Sequence, residues 1–148
     1  MKFKFPLQKV LEHRKILEGM AQKEFQEVVS QLNEANAYYK KMEEDMHGAQ
    51  IRAGELVRAG GSPGPALGQI HDFLKGQKIL LGRMAQKIQE IEKLVEAKRE
   101  ILRQTVLDYK IIEKMRENKL ETFKQEMGAQ EQKDMDEQSI LRFKPKES

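Results

Sequence analysis

The amino-acid sequence predicts an all-α protein that forms a long antiparallel two-helix coiled-coil hairpin. Alanine, glutamate, lysine, arginine and leucine make up about half of the 148 residues, a composition typical of long helices and coiled coils. Two long segments carry apolar residues at alternating spacings of three and four, which is the heptad pattern of a coiled-coil seam. A cluster of glycine and proline separates these segments and predicts a bend between two helices.

The predicted bend lies in the sequence Ala-Gly-Gly-Ser-Pro-Gly-Pro at residues 59–65. Glycine permits positive φ, whereas proline has no backbone N–H and restricts the residue before it. We therefore expect helix one over about residues 6–59, a bend at 60–65 and helix two over about 66–140. Residues 1–148 should form a single coiled-coil domain that ends in a disordered tail at 144–148.

Helix one carries a long seam that begins after Pro6. Its first predicted seam positions are Leu7, Val10, Arg14, Leu17 and Ala21. One step after Ala21 is out of phase and predicts a local unwinding of the supercoil. The regular part of the seam consists of Phe25, Val28, Leu32, Ala35, Tyr39, Met42, Met46, Ala49, Ala53 and Leu56.

Helix two carries the matching seam after the bend. Its predicted seam positions are Ile70, Leu74, Gln77, Leu81, Met84, Ile88, Ile91, Val95, Lys98, Leu102, Thr105, Tyr109 and Ile112. The polar seam residues Arg14, Gln77, Lys98 and Thr105 are either tolerated defects or points where the hairpin is weakened for a docking partner. Residues beyond about 128 have no partner helix within the chain, because helix two is the longer one.

The sequence lacks the residue patterns of an enzyme, and we predict no catalytic residue, no cofactor and no metal site. There are no cysteines, and the three histidines His13, His47 and His71 belong to no metal-ligand motif. The glycine-rich bend lacks the Gly-Lys-Ser/Thr ending of a phosphate-binding loop. A two-helix coiled coil also offers no enclosed cleft that would shift the pKa of a catalytic acid or base.

The charge pattern limits the classes of partner. The chain has 27 basic and 24 acidic residues, a mixed distribution that does not indicate a nucleic-acid partner. No apolar run is long enough for direct membrane insertion or for a signal peptide, so we expect a cytoplasmic protein. Tyr38 and Phe73 each flank a seam residue, and exposed aromatic side chains on a thin coiled coil are typical anchors of protein interfaces.

Two short motifs near the chain ends resemble those of a known family. Residues 3–12, Phe-Lys-Phe-Pro-Leu-Gln-Lys-Val-Leu-Glu, resemble the Phe-x-Phe-x-Leu-x-x-Val-Leu opening of flagellar export proteins of the FliJ family. Residues 132–137, Gln-Lys-Asp-Met-Asp-Glu, are similar to the Gln-Lys-x-Met-Asp-Glu segment of that family. Chain length, two long helices and a mid-chain bend agree with this resemblance.

The resemblance implies a non-enzymatic central stalk of the flagellar type III protein export apparatus. Such a stalk would insert into the hexameric export ATPase FliI, promote its assembly and activity, and link it to the export gate protein FlhA, with export chaperones as further partners. It would act at the cytoplasmic side of the inner membrane. The implied ATPase-binding residues are Phe3, Phe5, Leu7, Val10, Leu11, Met135, Asp136 and Glu137. The implied gate-binding residues are Gln31, Tyr38 and Phe73.

Two other functions are compatible with a coiled-coil hairpin. One is a chaperone or escort adaptor that binds clients or other chaperones and has no role as an ATPase stalk. The other is a structural coiled coil that homodimerises, with residues 60–65 as a flexible break. The coincidence of both terminal motifs favours the stalk.

Overall fold

Two long α-helices pack against each other as a hairpin, which confirms the predicted fold class. The computed structural model describes residues 2–60 and 64–143. Helix α1 spans Gln8–Arg58 and helix α2 spans Gly64–Phe143. The predicted tail at 144–148 and the middle of the predicted bend, residues 61–63, lie outside the described residues.

A short segment precedes α1 and turns into it at Pro6. Residues 2–5 have no regular secondary structure, and Pro6 and Leu7 form a turn. The N–H of Gln8 donates a hydrogen bond to the carbonyl of Phe5 at 3.0 Å, and that of Leu11 donates to the carbonyl of Leu7 at 2.9 Å. Proline can occupy such a position without the loss of a hydrogen bond, because the first N–H groups of a helix have no intrahelical acceptor.

Two glycines border the connection between the helices. The N–H of Ala59 still donates to the carbonyl of Glu55 at 2.9 Å. Gly60 has a φ of +75° and Gly64 a φ of +54°, in the left-handed region that residues with a Cβ rarely adopt. A glycine of this conformation directly after a helix is a common C-cap, so Gly60 ends α1.

The core of the hairpin is narrow and apolar. The buried side chains of the described chain are Phe5, Leu11, Ala21, Val28, Met42, Ala49 and Val95. Five of them, from Ala21 to Val95, occupy seam positions that the heptad pattern predicts. The hairpin is therefore held by a single apolar stripe on each helix, as expected for a two-stranded coiled coil.

The first turns of α1 follow a different phase from the predicted one. Val10 is 37% exposed, whereas Leu11 is 9% exposed. The observed seam positions, spaced alternately by four and three, are Leu7, Leu11, Arg14, Glu18, Ala21 and Phe25. The placement of Val10 in the seam is therefore wrong, whereas Leu17 and Glu18 are both half-buried and the out-of-phase step after Ala21 stays a prediction. The Oε2 atom of Glu18 is buried without a hydrogen-bond partner.

The chain divides into two units, each of which contains part of both helices. The first comprises the described residues of Met1–Gly19 and Arg103–Ser148, and the second comprises the described residues of Met20–Leu102. In the first unit, Arg14 Nη1 lies 3.1 Å from Asp108 Oδ2. In the second, Lys98 Nζ lies 3.3 Å from Glu24 Oε2. Two polar seam residues therefore pair across the helices, whereas Gln77 Oε1 is buried without a hydrogen-bond partner.

Candidate interaction surfaces

The N-terminal motif packs against α2 within the first unit. The rings of Phe3 and Phe123 lie 5.5 Å apart between centroids at an interplanar angle of 54°. The guanidinium carbon of Arg116 lies 5.5 Å from the centroid of the Phe3 ring, a cation–π contact. Arg116 Nε also donates a hydrogen bond to Gln8 Oε1 at 3.2 Å. With the buried Phe5, these residues form an N-terminal clasp, defined as Phe3, Phe5, Gln8, Arg116 and Phe123.

The predicted ATPase-binding residues near the N-terminus differ in accessibility. Phe5 is 7% exposed and Leu11 is 9% exposed, so both face α2 rather than solvent. Phe3 and Leu7 are half-buried, and Val10 is exposed. Most of the motif is therefore used within the hairpin, and Val10 offers the most accessible apolar side chain of the set.

The C-terminal motif lies on a part of α2 that no other described element covers. Every residue in 128–143, here called the C-terminal extension, is exposed. Asp136 Oδ1 accepts a hydrogen bond from Gln132 Nε2 at 3.1 Å, one helical turn away. Met135 is 62% exposed and lies twelve residues beyond Phe123, or about 18 Å along the helix. The two motifs therefore belong to the same unit but do not form one contiguous cluster.

The C-terminal extension also exposes apolar side chains near its end. Ile140 is 68% exposed, Leu141 is 71% exposed and Phe143 is 85% exposed. Exposed apolar groups that cluster on one segment mark an interaction site more often than isolated ones do. This extension is the most accessible apolar part of the first unit.

Two of the three predicted gate-binding residues share one groove in the second unit. The Tyr38 groove, as we call it, is lined by Gln31, Glu34, Ala35, Tyr38, Met42, Leu80, Arg83, Met84, Lys87 and Ile91. Tyr38 is 56% exposed at the border of this groove, whereas Met42 is buried beneath it. Phe73 is exposed but does not line the groove, because it lies ten residues before Arg83, or about 15 Å along α2.

The sequence alone did not indicate several of the side chains at these surfaces. Arg116 and Phe123 complete the N-terminal clasp, and Arg83 and Lys87 line the Tyr38 groove. The spacing of four between Arg83 and Lys87 indicates a shared helix face. No pattern in the sequence indicates which residues of α1 they lie beside, because that depends on the register of the hairpin.

Tyr109 in the first unit has a pKa raised above its ordinary value. Its hydrogen bond to the Glu113 carboxylate raises the pKa of the phenol above its usual 10.0, with smaller contributions from burial and from the negative charges of Glu113 and Glu18. Lys15 Nζ lies 4.9 Å from the centroid of the same ring. Tyr109 thus stays neutral at physiological pH and serves as a packing residue.

Within the described part of the chain, no helix is long and apolar enough to cross a membrane. No group of three or more histidine, aspartate or glutamate side chains there could hold a metal ion.

Comparison with known proteins identifies the family. A family model described as Flagellar FliJ protein matches residues 3–148. No curated protein and no solved structure matches the chain. The family match covers nearly the whole chain and includes both terminal motifs. The chain therefore belongs to the flagellar FliJ family, whose members are non-enzymatic components of the flagellar export apparatus.

Proposed function

We propose that this chain is the central stalk of the flagellar type III export apparatus, which inserts into the ring of the export ATPase FliI. There it promotes ring assembly and ATP hydrolysis and links the ring to the export gate protein FlhA. The observation that carries the proposal is that both terminal motifs of this family member lie in one compact unit. The apparatus would hold the protein at the cytoplasmic side of the inner membrane.

The C-terminal extension provides the contact surface for the ATPase in this proposal. Met135, Asp136 and Glu137 are all exposed, so they can contact a ring subunit without any unfolding of the hairpin. A stalk changes the activity of a ring only if it binds different subunit states with different free energies. A single helix that carries both carboxylates and apolar side chains can make such unequal contacts with successive subunits.

The N-terminal motif supports this surface in two ways. Val10 is exposed and contacts the ring directly in this proposal. The other apolar residues of the motif face α2 to different degrees; they are Phe3, Phe5, Leu7 and Leu11. Their role in ATPase binding is therefore to hold the N-terminal segment in place.

The Tyr38 groove provides the contact surface for FlhA. Gln31 and Tyr38 border the same groove, and an exposed tyrosine above apolar side chains is a typical interface anchor. Phe73 would form a separate contact farther along α2. Export chaperones remain further partners in this proposal.

The stalk is tested by mixing the purified chain with FliI and ATP. Hexamer formation is followed by light scattering and ATP hydrolysis by phosphate release. Asp136→Ala with Glu137→Ala should lower the stimulation of hydrolysis and leave helicity by circular dichroism unchanged. The matched control is Glu43→Ala with Glu44→Ala, which removes two exposed adjacent acids from α1 and should keep full stimulation.

Two outcomes contradict this proposal. If the unmodified chain changes neither hexamer formation nor hydrolysis, the stalk function is wrong. If both double variants stimulate equally, the carboxylates of the C-terminal extension are not the ATPase contact.

The exposed apolar end of the C-terminal extension favours a second candidate function. Ile140, Leu141 and Phe143 could bind clients or other chaperones, as expected for a coiled-coil chaperone or escort adaptor. Binding of export chaperones without any effect on FliI would favour this candidate.

A further inference from the structure

We propose that Arg83 and Lys87 make the Tyr38 groove selective for an acidic segment of a partner protein, in which a carboxylate lies next to an apolar side chain. This inference rests on the proposed gate-binding function and deepens it, because it names the chemistry of the segment that the groove receives. Three features of the groove carry the inference: its floor, its unpaired cations and the polarity of its two ends.

The floor of the groove is apolar and adaptable. Met42 is 5% exposed and Met84 is half-buried, and both line the groove below Tyr38. Leu80 lines the same part of the groove and is 49% exposed. Burial of an exposed leucine side chain is favourable, so a partner that covers Leu80 would gain binding free energy. Methionine is unbranched and fits side chains of different shape. The floor therefore suits an aliphatic side chain of a partner.

The two cations are the second feature of the groove. Among the described residues, neither Arg83 nor Lys87 forms an ion pair. Like charges at a spacing of four on one helix repel each other, so their proximity is unfavourable in the free protein. By contrast, Arg14 and Lys98 each pair with an acid on the opposite helix. A carboxylate from outside the chain would relieve the repulsion in the groove.

The ends of the groove differ in charge. Arg83 lines the end that contains Met42 and Leu80, and Gln31 and Glu34 line the other end. Lys87 lines both ends, so only the end without Glu34 is purely basic. Glu34 would repel an acidic side chain, and Gln31 would accept or donate a hydrogen bond without preference for charge. The carboxylate of the partner therefore lies at the Arg83 end, and the part of the segment near Glu34 is neutral or basic.

Methionine methyl groups allow a direct test with peptide probes. The chain is labelled with ¹³C at its methionine methyl groups and titrated with acetyl-Gly-Asp-Leu-Glu-Leu-Asp-Gly-amide. A twin peptide with Asn and Gln in place of Asp and Glu has the same shape and no charge. The acidic peptide should shift the signals of Met42 and Met84, whereas Met20 and Met135 are exposed outside the groove and should stay unchanged. We expect the twin to bind about tenfold more weakly, and added salt to reduce this difference.

A pair of matched variants tests the two cations. Arg83→Gln with Lys87→Gln should remove the preference for the acidic peptide. Lys75→Gln with Lys78→Gln makes the same change in net charge at exposed positions of α2 outside the groove and should keep that preference. The inference is overturned if the unmodified chain binds both peptides equally or binds neither. Signal shifts confined to Met20 or Met135 would overturn it as well.

Binding of purified FlhA separates this inference from the function on which it rests. If the unmodified chain binds no FlhA but prefers the acidic peptide, gate binding fails and the charge selection of the groove stands. If Tyr38→Ala weakens FlhA binding and Arg83→Gln with Lys87→Gln does not, gate binding stands and the charge selection is wrong. If Tyr38→Ala and Arg83→Gln with Lys87→Gln both lose FlhA binding, and Lys75→Gln with Lys78→Gln keeps it, gate binding and charge selection are both supported.

Discussion

Arg14 on α1 and Asp108 on α2 form an ion pair across the hairpin, with Nη1 and Oδ2 3.1 Å apart, although Arg14 occupies a position of the apolar seam. The next residue on each helix makes a second contact, because Lys15 Nζ lies 4.9 Å from the centroid of the Tyr109 ring. Two consecutive residues of α1 therefore contact two consecutive residues of α2. A shift of one residue in register would break both contacts, so together they favour one register in this unit.

Removal of either partner should weaken the hairpin only modestly. Both side chains are partly exposed, at 39% and 30%, so solvent screens their attraction. We expect Arg14→Ala and Asp108→Ala each to lower the free energy of unfolding by up to about 1 kcal/mol. The charge swap of Arg14→Asp with Asp108→Arg should recover part of this loss. A double-mutant cycle by urea denaturation measures the coupling.

The matched control is the pair Lys114 and Glu117 within α2. Lys114 Nζ lies 3.8 Å from Glu117 Oε2, and both side chains are well exposed. Its coupling should be about 0.2–0.5 kcal/mol, the usual range for neighbours on one helix. If the coupling between Arg14 and Asp108 is no larger than this, the pair does not stabilise the register.

The N-terminal clasp should keep residues 2–10 ordered. Arg116→Ala removes a cation–π contact with Phe3 and a hydrogen bond to Gln8, which together are worth about 1–2 kcal/mol. We expect faster amide exchange in residues 2–10 of this variant, with little change in residues 20–100. Lys124→Ala is the control, because Lys124 is exposed next to Phe123 and makes no contact of this kind among the described residues.

The same variants connect the clasp to the proposed stalk. Phe123→Ala should release the segment as Arg116→Ala does, because it removes the ring beneath Phe3. If both variants keep full stimulation of FliI despite faster exchange, an ordered N-terminal segment is not needed for ATPase activation. If exchange at residues 2–10 does not change, the clasp does not hold this segment.

The fold could be predicted because its signals are local, whereas the surfaces depend on how the helices meet. Heptad spacing and a glycine-proline cluster are read from neighbouring residues, and they predict two helices with a bend. The contact between Phe3 and Arg116 joins residues more than one hundred positions apart, so only the register of the hairpin brings them together. For the same reason, the sequence could not show that Gln31 shares a groove with Tyr38 while Phe73 lies outside it.

The phase of the first turns of α1 can be tested by paired alanine substitutions. Leu11 is 9% exposed and Val10 is 37% exposed, so only Leu11 lies in the seam. Leu11→Ala should lower the free energy of unfolding by about 2–3 kcal/mol, because it leaves a cavity in the apolar stripe. Val10→Ala should change it by less than about 0.5 kcal/mol. Similar losses for both variants in urea denaturation would restore the phase predicted from the sequence.

Glu18 provides an independent test of the same phase. Its Oε2 atom is buried without a hydrogen-bond partner, which costs free energy in the folded state. Glu18→Leu should therefore raise the free energy of unfolding by about 1 kcal/mol. Glu12→Leu is the control, because Glu12 is exposed and its replacement removes a long surface hydrogen bond of 3.5 Å from Gln8 Nε2, so the effect should be small. Equal effects of the two substitutions would show that Glu18 does not belong to the seam.

Glycines inside α2 should lower the stability of the second unit, and its packing does not require them. A Cβ added at Gly76 or Gly82 meets no atom within 4 Å, so alanine fits at both positions. Because glycine is about 1 kcal/mol less favourable than alanine within a helix, Gly76→Ala and Gly82→Ala should each raise the free energy of unfolding by up to that amount. Gly60→Ala should have the opposite effect, since its φ of +75° costs a residue with a Cβ about 1–2 kcal/mol. Thermal and urea unfolding measure the stability of all three variants. If Gly76→Ala and Gly82→Ala lower the free energy of unfolding, the glycines are needed for a close contact at these positions.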